Sequence, residues 1–153
     1  MKNKIETTGD GVKITRIFDA RREAVFAAWA DPEKAGAWMG CPGSSSVSCT
    51  MDFRAGGGYR QVLEVPGCGQ VVMVGRYKEI EVPKRISYAL NCEPCEGMEP
   101  APDTHVTVEF IERGDQTEVR LEHTGLASDE MKGMISSGHE ASFDRLAELV
   151  EKK

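Results

Sequence analysis

Residues 128–150 read SDEMKGMISSGHEASFDRLAELV, and the architecture of the chain depends on this segment. Met131, Ile135 and Leu146 recur at helical spacing while charged residues take other directions, which predicts one amphipathic helix. Ser128 is placed to cap the helix, because a serine hydroxyl accepts a backbone N–H of the first turn. A helix of this length spans about 33 Å, roughly the width of a small domain. It therefore needs one large surface to lie on.

The chain before this helix supplies that surface, because its apolar residues recur at every second position. Alternation and turn residues predict strands at residues 12–18, 47–53, 59–65, 70–82, 85–91, 105–112 and 117–124. The links between most of these strands are short, and short links between consecutive strands force antiparallel pairing.

Two short helices are predicted after the first strand, the second with Asp31 as cap and Pro32 at its first position. The expected fold is α+β, with residues 1–153 forming a single domain. A curved antiparallel sheet of about six or seven strands wraps around the long C-terminal helix. Since a helix touches a curved sheet along a line, we expect a cavity between the two.

The composition excludes several classes of protein. The net charge is −6, and no cluster of Lys and Arg offers a nucleic acid its usual electrostatic partner. The longest aliphatic run, Val71 to Val74, is far too short to span a membrane. The N-terminus has no apolar segment typical of a secretory signal, so we expect a cytoplasmic protein.

Five cysteines are present, an odd number that favours reduced thiols over a disulfide framework. Cys92 and Cys95 form the only close pair. Neither the other cysteines nor the histidines add two further ligands with the spacing of a zinc site, and the pair does not follow a strand into a helix as a thioredoxin motif would. We expect no metal and no cofactor, while the sequence leaves a redox or metal role of this pair open.

Arg16 is unusual, because it falls on the apolar side of the first strand between Ile14 and Phe18. An arginine in this position is typically one whose head reaches solvent or a carboxylate at the sheet edge.

Motifs spread over nearly the whole chain resemble one known superfamily. They are Ile14-Thr15-Arg16, Val25-Phe26, Asp31-Pro32-Glu33, Asp52-Phe53-Arg54, Gly75-Arg76-Tyr77, the segment from Thr117 to Leu126, and Ser142-Phe143-Asp144-Arg145-Leu146. Their order and spacing resemble the SRPBCC (START-like, helix-grip) superfamily, and within it the branch named after the activator of the heat-shock protein 90 ATPase. The resemblance implies the helix-grip fold and an apolar cavity between the sheet and the last helix. It implies no common chemistry, because proteins of this shape include lipid-transfer proteins and polyketide cyclases.

One position departs from the pattern of that branch. Members often carry Gly-Trp near the middle of the last helix, where this chain has Gly138-His139. Because the tryptophan would fill space, either the cavity here is larger or a polar group has entered its wall.

His123 and His139 are the residues that could carry chemistry. His123 shares a strand face with Val119 and Leu121, and His139 flanks the apolar stripe of the helix, so the two imidazoles could meet in one cavity. The pattern favours hydrogen-bonded core or rim histidines. The alternative is that either one anchors a ligand or acts as a general acid or base.

Aromatic and methionine side chains on the inward faces are the expected cavity lining, because tyrosine hydroxyls orient a ligand and methionine adapts to its shape. The predicted ligand-binding residues are Trp38, Met39, Tyr59, Met73, Tyr77, Tyr88, His123, Met134, Ile135, Gly138, His139 and Ser142.

Three functions follow in order of preference. The first is binding of a small apolar or amphipathic molecule, such as a lipid, without catalysis. The second is a chaperone-associated module of the stress response, with a heat-shock 90 protein as partner. The third is a cavity enzyme of the cyclase or hydrolase type that uses His123 or His139. A sheet edge or the loop of residues 91–104 could form a homodimer interface, and the sequence leaves the oligomeric state open.

Overall fold

The computed structural model describes residues 4–39, 45–67, 69–92, 104–126 and 128–151. Within these ranges the chain forms eight strands and three helices. In chain order they are β1 (Lys4–Thr7), β2 (Gly11–Phe18), α1 (Arg22–Ala30), α2 (Pro32–Trp38), β3 (Ser45–Met51), β4 (Gly58–Val65), β5 (Gly69–Glu81), β6 (Arg85–Cys92), β7 (Thr104–Arg113), β8 (Gln116–Thr124) and α3 (Asp129–Val150).

The strands form one antiparallel sheet in the order β1-β2-β8-β7-β6-β5-β4-β3. The predicted α+β class with a C-terminal helix is therefore confirmed, with one strand more than expected. The additional strand is β1, whose residues are all exposed and which is held by pairing with β2. Alternating burial could not reveal it, because neither of its faces is buried.

The long helix α3 begins as the sequence predicts. The Ser128 hydroxyl accepts a hydrogen bond from the Met131 backbone N–H at 3.1 Å. Its buried residues all lie in its C-terminal half and are Ser142, Phe143, Leu146 and Ala147. The helix packs on α1, α2 and β2. In the described parts of the chain, no helix combines the length and apolar content needed to cross a membrane.

The core between α3 and the sheet is built from aromatic rings in edge-to-face contact. The ring centroids of Phe18 and Phe143 lie 5.6 Å apart, and those of Trp29 and Phe110 lie 5.0 Å apart. Such pairs add to the stability gained by burial alone. The rings thereby fix α1 and α3 against the central strands.

Arg16 pairs with a carboxylate, which was one of its two expected partners. Its side chain is 7% exposed, and its Nη1 atom donates to the Asp144 carboxylate of α3 at 2.8 Å. The guanidinium carbon lies 5.1 Å from the centre of the Phe18 ring. A cation over an aromatic face is favourable, so Arg16 joins β2 to α3 without leaving its charge unpaired.

Candidate functional site

Side chains from several elements converge on one small void, which we call the aromatic pocket. Trp29 reaches it from α1, and Met39 from the end of α2. The strands β3 to β6 supply the other walls. The described lining residues are Trp29, Met39, Cys49, Met51, Tyr59, Gln61, Tyr77 and Tyr88.

Strand alternation explains why these side chains point inward. Cys49 and Met51 are two residues apart on β3, and Tyr59 and Gln61 are two apart on β4, so each pair shares one face of the sheet. Tyr59 also needs the glycine opposite it. Gly75 is its partner in the register with β5, and a Cβ atom there would overlap the Tyr59 ring. The glycine therefore allows this ring to lie across the neighbouring strand.

Three tyrosine rings form one wall of the aromatic pocket. The ring centroids of Tyr59 lie 5.7 Å from those of Tyr77 and of Tyr88, and Tyr77 and Tyr88 are 6.0 Å apart on paired strands. Burial raises the pKa of both Tyr77 and Tyr88 above its ordinary value. Both phenols therefore stay protonated at neutral pH and can donate hydrogen bonds.

The polar atoms of the aromatic pocket are incompletely paired. The Trp29 side chain is 2% exposed, and its indole N–H has no hydrogen-bond partner. The Tyr77 hydroxyl donates to the Met51 thioether at 3.6 Å, and a thioether is a weak acceptor. Buried polar groups are nearly always hydrogen-bonded, so an unpaired indole N–H on a residue that lines a void calls for a physical explanation.

The void itself is small. Its volume is about 10 Å³, room for about one water molecule. A second, open depression on the surface is lined by Pro32, Glu33 and Gly36 together with Cys49. Cys49 thus borders both the interior void and the outer depression, at the point where α2 meets β3.

His123 and His139 form a second polar group in the interior, which we call the histidine pair. The structure places His123 Nδ1 3.0 Å from His139 Nε2, joining β8 to α3. His123 is 1% exposed and His139 is half-buried. On the other side of His123, its Nε2 lies 2.7 Å from the hydroxyl oxygen of Thr104, on β7.

The hydrogen bond from Thr104 to the Leu90 carbonyl fixes the direction of the hydrogen bonds in the histidine pair. The Thr104 hydroxyl donates its only proton to the Leu90 carbonyl at 2.9 Å, so it must accept from His123 Nε2–H. Neutral His123 then has an unprotonated Nδ1, which accepts from His139 Nε2–H. Both ring nitrogens of His123 are therefore used within the protein.

Burial also keeps the histidine pair neutral. Burial, with a smaller effect of the charge of His105, lowers the pKa of His123 to about 4. Burial and the neighbouring His123 lower the pKa of His139 as well. A positive charge on either ring would be poorly solvated in this buried position, so the neutral form is favoured at neutral pH.

The structure divides the predicted ligand-binding residues between several places. Met39, Tyr59, Tyr77 and Tyr88 line the aromatic pocket, and His123 and His139 form the histidine pair. The remaining predicted residues lie outside the described lining of the pocket. Trp38 and Ser142 are buried, Met73, Ile135 and Gly138 are half-buried, and Met134 is 68% exposed.

Sequence reasoning missed four lining residues: Trp29, Cys49, Met51 and Gln61. For Gln61 a signal existed, because it alternates in phase with Tyr59 and Leu63 and so places an amide on an apolar face. Trp29 gave no comparable signal. A tryptophan on the apolar side of a short helix is expected to pack in a core. Trp29 does so as well, since its ring centroid lies 4.5 Å from that of Trp38.

The comparisons with known proteins agree with this architecture. Residues 19–151 match the sequence model of a family described as Activator of Hsp90 ATPase homolog 1-like protein. No curated protein matches the chain significantly.

Solved structures of similar shape come from several bacteria. A protein from Chromobacterium violaceum has 23% sequence identity and a TM-score of 0.80, and the match covers 95% of this chain and 100% of that one. A protein from Rhodobacter sphaeroides has 22% identity and a TM-score of 0.81, and the match covers 97% of each chain. A protein from Mycobacterium smegmatis has 19% identity and a TM-score of 0.79, covering 100% of this chain and 98% of that one. At these identities the likeness concerns the fold alone.

Proposed function

The chain belongs to the Activator of Hsp90 ATPase homolog 1-like family, and we propose that it binds a small apolar molecule in the aromatic pocket. The observation that carries the proposal is the buried indole N–H of Trp29, which has no partner. A packed core would satisfy such a donor or exclude it. Small-molecule sites are typically lined by apolar and aromatic side chains with a few polar groups, and the void has such a lining, with the unpaired donor on one of its residues.

Binding requires the aromatic pocket to widen, because its volume of about 10 Å³ admits no organic molecule. Met39 and Met51 are suited to this, since methionine side chains are flexible and change rotamer easily. We place the entrance at Cys49, which borders both the void and the outer depression. The ligand then passes between α2 and β3, and the methionines close around it.

The other functions expected from the resemblance stay predictions. A heat-shock 90 partner, a role in the stress response, a dimer and a cytoplasmic location depend on the resemblance or on the sequence alone. For a cyclase or hydrolase, His123 is the weaker of the two candidate residues, because both its nitrogens are already hydrogen-bonded within the protein. The Cys92 and Cys95 pair lies outside the side chains that the structure describes.

The proposal is tested by blocking the entrance. Cumene serves as an apolar probe, and its affinity is measured by isothermal titration. Cys49→Phe adds a ring to the wall that the void shares with the outer depression. We expect the affinity for cumene to fall at least about tenfold, because the added ring occupies the space in which cumene would contact the pocket walls. The matched control is Thr50→Phe, which adds the same ring at the next, exposed position of β3 and leaves affinity unchanged. Unchanged affinity in Cys49→Phe, or no binding by the native protein up to the aqueous solubility of cumene, contradicts the proposal.

A further inference from the structure

We propose that the ligand of the aromatic pocket is a neutral molecule with a hydrogen-bond acceptor, such as a carbonyl oxygen, held by the Trp29 indole N–H and the Tyr88 hydroxyl. This inference rests on the proposed function and names the chemical class of ligand that the same site takes. It depends on which polar atoms of the pocket are free, which are already paired, and which charges are present.

The two donors belong to residues that line the same small void. Burial raises the pKa of Tyr88 and the Trp29 indole lowers it by less, which agrees with an indole N–H near the Tyr88 oxygen, although that N–H makes no well-formed hydrogen bond. Both side chains are buried and both line the void. One acceptor atom placed between them would therefore receive a hydrogen bond from each.

The other polar contacts in the lining are made within the protein. The Gln61 side-chain amide donates to the Met39 carbonyl at 3.4 Å, and the Tyr77 hydroxyl donates to the Met51 thioether. A pure hydrocarbon in the pocket would leave the Trp29 donor buried and unpaired, and such a group costs about 1–3 kcal/mol. A ligand acceptor removes that cost, which favours a carbonyl, ether or similar group over a bare hydrocarbon.

Charge narrows the class further. None of the described residues that line the aromatic pocket is charged, so an anion would be buried without a counter-ion, and that is costly. A cation could face the aromatic rings, but the positive ends of the Trp29 and Tyr88 donors would then point at a positive ligand and stay unpaired. A neutral acceptor suits both the rings and the donors.

The test uses four probes of similar size: cumene, acetophenone, benzoate and phenyltrimethylammonium. Affinities are measured by isothermal titration for the native protein, Trp29→Phe and Tyr88→Phe. We expect acetophenone to bind the native protein at least as tightly as cumene, although it leaves water less readily, and the two charged probes to bind at least about tenfold more weakly than acetophenone. In Trp29→Phe the affinity of acetophenone relative to cumene falls by about tenfold, the size of one lost buried hydrogen bond. Tyr88→Phe lowers the same ratio, by less.

The controls separate this inference from the proposed function. Cumene binding within about threefold of native shows that Trp29→Phe keeps its pocket, and Tyr88→Phe, which removes one hydroxyl, carries the test if Trp29→Phe does not fold. If cumene binds and the ratio of acetophenone to cumene is the same in all three proteins, the acceptor class is overturned and apolar binding stands. If a charged probe binds most tightly, the neutral class is overturned. If no probe binds the native protein, the proposed function fails together with this inference.

Discussion

The aromatic pocket and the histidine pair are two polar features of the same interior, and they differ in how their polar atoms are satisfied. In the histidine pair, hydrogen bonds run from His139 through His123 and Thr104 to the Leu90 carbonyl. In the aromatic pocket, the Trp29 donor has no partner and the Tyr77 hydroxyl has only a thioether. The hydrogen bonds of the first arrangement are made within the protein, whereas the second leaves the Trp29 donor unpaired.

This difference assigns separate roles to the two regions. A satisfied network of buried polar groups fixes how α3 sits on the sheet, because breaking it leaves several groups unpaired at once. An unpaired buried donor lowers the stability of the empty protein, and an acceptor that binds to it removes that loss. On the function proposed above, the histidine pair stabilises the fold and the aromatic pocket binds the ligand, and each of the following experiments tests that assignment.

The largest expected effect is the loss of His123. In His123→Leu, Thr104 loses its donor and His139 loses its acceptor, and we expect the free energy of unfolding to fall by about 3 kcal/mol. Urea unfolding at neutral pH measures the loss. The matched control is His105→Leu, an exposed histidine on the adjacent strand, for which we expect a change within about 0.5 kcal/mol. Cumene affinity stays within about threefold of native, and its loss in a folded His123→Leu protein would place the histidine pair in the binding site.

The next effect is on the pH dependence of stability. The pKa of His123 is lowered in the folded protein from 6.5 to about 4, so its contribution to stability is complete above pH 6.5 and declines as the pH falls toward 4. Between pH 6.5 and about pH 5 the unfolded chain takes up a proton that the folded protein refuses, and we expect a loss of about 2 kcal/mol from this group.

Urea titrations across this range measure that loss. The double variant His123→Leu, His139→Leu should show a nearly flat profile there, because it lacks both groups. Arg120 and Arg113 lower the pKa of Glu118 more than its burial raises it, so its own contribution is lost only in stronger acid and does not confuse the comparison. A native profile as flat as that of the double variant would mean that the pair is not held neutral.

The smallest expected effect concerns a polar group of the aromatic pocket, the Tyr77 hydroxyl. Tyr77→Phe removes a hydroxyl whose partner is a weak acceptor, so we expect the free energy of unfolding to change by less than about 1 kcal/mol. Urea unfolding measures this change in the free energy of unfolding, with His123→Leu measured under the same conditions for comparison. A loss as large as that of His123→Leu would show that the polar atoms of the aromatic pocket are as well satisfied as those of the histidine pair.

The sequence was sufficient for the fold because each signal was local. Period-two strands, the Ser128 cap and the amphipathic last helix each depend on neighbours in the chain, and together they predict one sheet against one helix. The α+β helix-grip class and the family are confirmed. Of the described strands, only β1 was not predicted, because it is held by pairing with β2 and buries neither of its faces.

The site was predictable only in part, because it depends on distances between elements. Tyr59, Tyr77 and Tyr88 could be placed on an inward face by alternation, but the unpaired state of the Trp29 N–H arises from how α1 packs on the sheet. The small volume of the void is likewise a property of packing. Spacing in the sequence carries no information about either.

The most direct test of the account uses the two tryptophans of the chain as each other's control. Trp29 has an unpaired indole N–H, whereas the Trp38 indole N–H donates to the Ala28 carbonyl at 2.8 Å. Their two indole resonances are followed in a ¹⁵N-labelled sample during titration with acetophenone. The account predicts that the Trp29 proton moves downfield as it gains an acceptor while the Trp38 proton shifts little. A titration that moves the Trp38 resonance alone, or leaves both in place while acetophenone binds, would contradict it.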